Sequence, residues 1–348
     1  SPSTLRPPCP APQRLFLWRG INTPPASTLS HPVLTHLDHL ASQASLSDAA
    51  SYGAGLRKFH LFCDIFSVPE SDRLPASLPV LKSFAFVPFE PISIVAVRKY
   101  LAAVRAWHLA QGWPPPLNED ELTQLNWSLR GLDRLQAAHR HRPPRPPVSL
   151  HMLSTLRSAL HLQEPFDAAV WAAATCSFWG MMHFGEVSVP SRNAFQAGRH
   201  ISRGDCIMSH DLDNRPYARL RLPSAKTARP GETQDVFVTQ QGELCAIWAL
   251  INLSMVVPAA PSDHLFSWKD AAGSIHPLTR QAALNRINNI FQAHGWGTAF
   301  GHSFRIGGAS FYLAQKVSPE IVRIAGRWKS LAYETYIRTF ENVASRHM

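Results

Sequence analysis

A chain of 348 residues, 45% hydrophobic and 17% charged, can supply cores for two ordinary domains, which excludes a disordered polymer. Its 34 Lys and Arg against 24 Asp and Glu give a formal +10 before any of the 17 histidines protonates, a balance that favours a polyanionic partner without separating nucleic acid from a membrane surface. No apolar run approaches the roughly 20 residues of a membrane helix, and SPSTLRPPCPAPQRLFLWRG lacks the order of a signal peptide, so a soluble intracellular protein with no membrane partner is expected. Cys9, Cys63, Cys176, Cys206 and Cys245 are scattered without a C-x-x-C pair, which reads as core thiols; no metal site and no cofactor are expected.

In chain order, residues 1–30 are rich in Pro and Ser with little periodicity and read as a flexible arm. Residues 31–138 read as a helical, DNA-binding bundle. In DAASYGAGLRKFHLFCDIF the residues Leu56, Phe59, Phe62, Cys63 and Phe66 recur at three and four, with Arg57 and Lys58 beside the stripe. In PISIVAVRKYLAAVRAWHLAQGW the same spacing joins Val97, Leu101, Val104 and His108, while Arg98 and Arg105 share another face near Lys99. A third helix, NEDELTQLNWSLRGLDRLQAAHR, opens acidic and closes basic, as the helix dipole favours.

The stretch HRHRPPRPP, residues 139–147, forbids helix and reads as the domain linker. Arg140, Arg142 and Arg145 there are either DNA contacts or charges that keep a spacer solvated. Residues 148–348 read as a mixed domain. Two helices, SLHMLSTLRSALHL and PFDAAVWAAATCSFWGMMHFGEV, precede a hairpin of YARLRLPS and TQDVFVTQ with Lys226 near its tip, and further helices follow around 243–253, 278–294, 303–315, 318–326 and 330–340. The fold class expected is mainly α with a small β-hairpin or sheet (α+β).

The chemistry concentrates near the C-terminus, in GHSFRIGGASFYLAQKVSPEIVRIAGRWKSLAYETYIR. His302 and Arg305, three apart at a helix start, face the end of a helix that attracts anions, and Arg brings a planar fork matching two phosphate oxygens. Taken alone, the pair reads rather as a surface His and a capping Arg. Trp328 and Tyr336 alone read as core, and a phenol with a free pKa of about 10 is a poor nucleophile without cations beside it.

The order of a hairpin Lys, then His-x-x-Arg, then Trp, then a late Tyr resembles the tyrosine recombinase (phage integrase) family. GHSFRIGGAS, AGRW and YIR are the specific pieces, and within that family the chain resembles Cre and the Crypton-like fungal recombinases. The resemblance implies a helical core-binding domain followed by a catalytic domain that breaks and rejoins double-stranded DNA through a 3′-phosphotyrosine, with neither metal nor ATP. It implies Tyr336 as nucleophile, Arg305 and His302 on the scissile phosphate, Trp328 as an indole N–H donor, and Lys226 as the acid for the leaving 5′ oxygen. Two positions depart from the family pattern. Where it carries a first catalytic Arg in a Leu-Leu-Arg-x-x-Glu-type sequence, MMHFGEV places His183, with Glu186 in its usual position. The interval from Trp328 to Tyr336 is one residue short, which leaves Tyr333 as an alternative phenol. Self-association on DNA, dimer to tetramer, and a nuclear location are further implications. Two other functions stay open: a sequence-specific DNA-binding protein that has lost cleavage with that first Arg, and a type IB topoisomerase-like enzyme. Arg57, Lys58, Arg98, Lys99 and Arg105 are the expected DNA contacts of the first domain.

Overall fold

Helix starts in this chain are set by local chemistry. Pro32, Pro79, Pro165 and Pro319 stand in first turns, where the missing N–H has no intrahelical partner to lose. Asp48, Ser93 and Ser149 cap three other helices by accepting the N–H of Ser51, Ala96 and Met152. The computed structural model describes residues 3–25, 31–46, 48–87, 93–137, 146–224 and 232–328. The chain divides into two compact units, Ser1–Arg142 and Pro143–Met348. Residues 139–145 of the expected linker lie outside the described residues.

The first unit holds α1 (Arg14–Leu17), α2 (Pro32–Ala44), α3 (Ala49–Ile65), α4 (Leu78–Phe86), α5 (Ile94–Ala110) and α6 (Glu119–Ala137). The α3 stripe is buried as far as Cys63, whereas Phe66 falls just past the helix end and is exposed. Leu56, Phe59, Phe62 and Cys63 pack with Leu81 and Phe84 of α4 and with Val104 and Trp107 of α5. The flexible-arm expectation is corrected for residues 3–25. Leu15 and Trp18, three apart in an otherwise Pro-rich stretch, are buried in this same core, and the Trp107 indole donates to the Trp18 carbonyl at 2.8 Å. Arg6 forks onto Glu70 at 2.8 and 2.6 Å and fastens the segment from its other end.

Two histidines of this unit are core groups. His108 accepts the Ala76 N–H on Nε2 at 2.9 Å and its Nδ1 lies 2.8 Å from the Val104 carbonyl, one acceptor and one donor as a neutral ring requires. Burial lowers its pKa to about 4. His60 lies edge-on to Trp18 and Trp107, neither ring nitrogen has a hydrogen-bond partner among the described residues, and burial followed by the charges of Arg6 and Arg73 lowers its pKa to about 3.

The second unit is built on α8 (Pro165–Trp179), which is buried on every side from Asp167 to Trp179 and so serves as the central rod. Before it comes α7 (Leu150–Ala159). After it runs an antiparallel sheet in the order β1 (Cys206–His210), β2 (Pro216–Leu222), β3 (Gln234–Thr239). Alternate residues Ala218, Leu220 and Leu222 of β2, with Val236 and Val238 of β3, enter the core. The expected hairpin is therefore present with a further strand added, and Lys226 lies outside the described residues. α9 (Ala246–Val256), the small pair β4 (Ser267–Lys269) and β5 (Ile275–Pro277), α10 (Arg280–Ala293), α11 (Gly301–Ala314) and α12 (Pro319–Ala325) complete it. Arg286 of α10 forks onto Asp167 at 2.9 and 2.8 Å, tying α10 to the start of the rod.

A histidine whose folded pKa lies below its unfolded value, about 6.5, binds more protons when unfolded. Stability of the first unit therefore falls as pH drops from 6.5 and stops falling, for each ring, below its folded pKa. Thermal melts of His60→Leu between pH 7 and pH 4 are expected to show a shallower acid loss than the native chain. Identical slopes would contradict the assignment.

Candidate functional site

The C-terminal end of α8 and the N-terminal half of α11 approach closely because α11 carries glycine where another residue would collide. A Cβ on Gly308 would lie 1.9 Å from the Phe178 carbonyl oxygen. This approach brings His302 and Arg305 against the segment that follows α8, where Met181 takes a left-handed φ of 45° and turns the chain towards His183 and Glu186.

Arg305 is the centre of the cluster. It is 2% exposed, its Nη1 donates to the Met181 carbonyl and its Nη2 to the Gly326 carbonyl. The Trp328 ring lies against the guanidinium, 4.2 Å from its carbon to the ring centroid, a contact worth about 2 kcal/mol when desolvated. Trp328 can fold back this way because residue 326 is glycine: a Cβ there would sit 1.7 Å from the indole. Met181, Ala309 and Val322 form the apolar floor on which Trp328 packs.

Beside Arg305, the His183 and His302 rings stack at 5.7 Å between centroids. Glu186 Oε2 accepts the backbone N–H of His183 at 2.8 Å and the Nη2 of Arg327 at 2.7 Å. Burial lowers the His183 pKa to about 4, the Arg305 charge adds to the shift and Glu186 opposes it, so this imidazole is neutral at pH 7. It can offer one N–H donor where a guanidinium would offer a charged fork. The described residues contain no group of His, Cys, Asp and Glu arranged to hold a metal ion.

Solved structures resemble the chain over most of its length. A post-cleavage complex of the XerH site-specific recombinase bound to palindromic difH substrate is 13% identical, with a TM-score of 0.57 over 90% of this chain and 82% of that one. The XerH pre-cleavage complex with difH is 14% identical, with a TM-score of 0.53 over 90% and 83%. The chain has the tyrosine recombinase fold. Neither a protein-family model nor a curated protein matches it.

Within this recombinase fold, His183, Glu186, His302, Arg305 and Trp328 come together from segments far apart in sequence. Tyr336, the alternative Tyr333 and Lys226 lie outside the described residues, as do Arg140, Arg142 and Arg145. In the first unit, Arg98 and Arg105 are exposed and line one groove with Leu101, Leu122 and Leu125, and Arg98 donates to Asn126 at 2.9 Å. Arg57 is exposed too but lines a different cavity, beside Arg6 and His60. Lys99 is exposed and Lys58 half-buried. The residue the sequence pattern does not single out is Arg327. Its advance signal is its place in the AGRW piece, beside Trp328.

The close approach of α11 is testable apart from any activity. Gly308→Ala is expected to destabilise the second unit by about 1–3 kcal/mol through overpacking. Gly185→Ala, with open space around the added carbon, is expected to stay within about 0.5 kcal/mol. Equal melting temperatures for the two variants would contradict the packing described.

Proposed function

We infer that the chain is a site-specific DNA recombinase that cleaves and rejoins a duplex through a 3′-phosphotyrosine on Tyr336. The observation that supports this reading is the assembly of His302, Arg305 and Trp328 beside His183 and Glu186, in a fold similar to that of XerH. The residue types suit one phosphodiester. The Tyr336 oxygen bonds to phosphorus as its proton leaves, the bond to the 5′ oxygen breaks, and Lys226 supplies that oxygen with a proton. His302 and Arg305 stabilise the charge that develops on the phosphate, as preorganised donors do in a water-poor site. Rejoining runs the same steps backwards from a 5′ hydroxyl, so the energy of the broken bond is kept in the protein–DNA link. No step calls for metal or cofactor.

The kinship proposed is with the Crypton-like recombinases, on the pieces GHSFRIGGAS, AGRW and YIR, and with it come a mobile-element origin, nuclear residence and multimers formed on DNA. A second reading is favoured by one observation, the neutral imidazole of His183 where the family pattern has Arg. Losing one such charged donor typically costs a hundred- to a thousandfold in rate. In that reading the chain recognises DNA and no longer cuts it.

Incubation with a library of nicked duplexes carrying a randomised core separates the two. SDS-resistant protein–DNA adducts are expected from the native chain and none from Tyr336→Phe. Adducts that persist in Tyr336→Phe would move the nucleophile, with Tyr333 the next candidate, and adducts only after His183→Arg would establish the binding-only reading. For the first unit, replacing Arg98 and Arg105 together by Ala is expected to reduce the slope of log affinity against log salt by about 2, because two phosphate-neutralising cations are removed. An unchanged slope would remove that groove from the DNA surface.

A further inference from the structure

We propose that Arg327 takes the place of the guanidinium missing at position 183 and binds a non-bridging oxygen of the scissile phosphate. The proposal rests on the recombinase reading above.

Arg327 follows Gly326 at the end of α12 with φ of 62°, the left-handed region that a residue with a Cβ seldom adopts. Its side chain, only 10% exposed, reaches Glu186 at 2.7 Å. The same carboxylate oxygen holds the backbone N–H of His183 at 2.8 Å, so the guanidinium lies within two hydrogen bonds of the residue standing at the first-Arg position. One positive charge is thereby delivered to that corner of the cluster from another part of the chain.

Its donors are only partly used. Nη2 is on Glu186, while Nε and Nη1 are buried and have no hydrogen-bond partner among the described residues. Buried N–H groups are nearly always paired, and leaving those of a charged group unpaired is costly. Phosphate oxygens accepting from Nε or Nη1 would remove that cost; these N–H groups leave from different edges of the guanidinium, so each takes its own charge-assisted hydrogen bond. The alternative, a purely structural ion pair with Glu186, accounts for Nη2 and leaves the other two nitrogens unexplained.

The test compares the native chain, Arg327→Lys, His183→Arg and the double variant on duplexes recovered from the adduct library, reading adduct rate, non-covalent DNA affinity and melting temperature. Lys keeps a cation for Glu186 and loses the guanidinium donors at Nε and Nη1. Arg327→Lys is expected to melt like the native chain and to form adducts on the order of a hundredfold more slowly. The double variant is expected to recover most of that rate, because the new guanidinium at 183 makes the one at 327 redundant. A purely structural Arg327 would give no such rescue. Unchanged rate in Arg327→Lys, a loss not restored by His183→Arg, or adducts that appear only with His183→Arg would each overturn the proposal. Absence of adducts from every variant would instead sink the recombinase reading, and the proposal with it.

Discussion

Arg305 carries a full charge at 2% exposure, held by the carbonyls of Met181 and Gly326 and covered by Trp328. A buried cation is costly unless its donors are paired, and orphaning one buried donor typically costs about 1–3 kcal/mol, more for a charged group. The turn after α8, the start of α11 and the end of α12 are therefore mutually dependent. Each places one part of the cage, and none can move without exposing the charge or orphaning a donor. The glycines at 308 and 326 admit the cage sterically, and the apolar floor of Met181, Ala309 and Val322 keeps water from its rear.

That arrangement constrains what the cluster can do for a phosphate. Arg305 is positioned firmly, and part of its guanidinium is committed to backbone carbonyls. His183 is neutral, and its own backbone rather than its ring is what Glu186 holds. The Glu186 carboxylate has Arg327 as its cation. A charge-relocated site of this kind would retain the electrostatics of phosphoryl transfer while altering where the donors stand, and donor placement is what preorganised stabilisation depends on.

Much of the fold was legible because its helices carry strong periodic stripes. Leu56, Phe59, Phe62 and Cys63 were readable as one face, and the strands at 216–222 and 234–239 by their alternation. The segment at residues 3–25 was not, since Pro-rich composition conceals two apolar anchors whose worth depends on a cleft formed by distant helices. β1, β4 and β5 are short and owe their pairing to neighbours. At the site, His302 and Arg305 were legible from helical spacing and Trp328 from its motif. Arg327 was not, because its role comes from a left-handed backbone and a contact with Glu186, which no local pattern encodes. Arg57 shows the converse limit: flanking a stripe predicted its exposure but not which cavity it lines.

The central claim is that one phosphate sits among Arg305, His302, Trp328 and Arg327. The most direct measurement is a crystal structure of the full chain bound to its selected duplex, with vanadate trapped at the cut site. Vanadate is expected to bond to the Tyr336 oxygen, with nitrogen atoms of Arg305 and Arg327 about 3 Å from its oxygens. Vanadate or a backbone phosphate lying elsewhere, with the cluster unchanged and empty of it, would contradict the account.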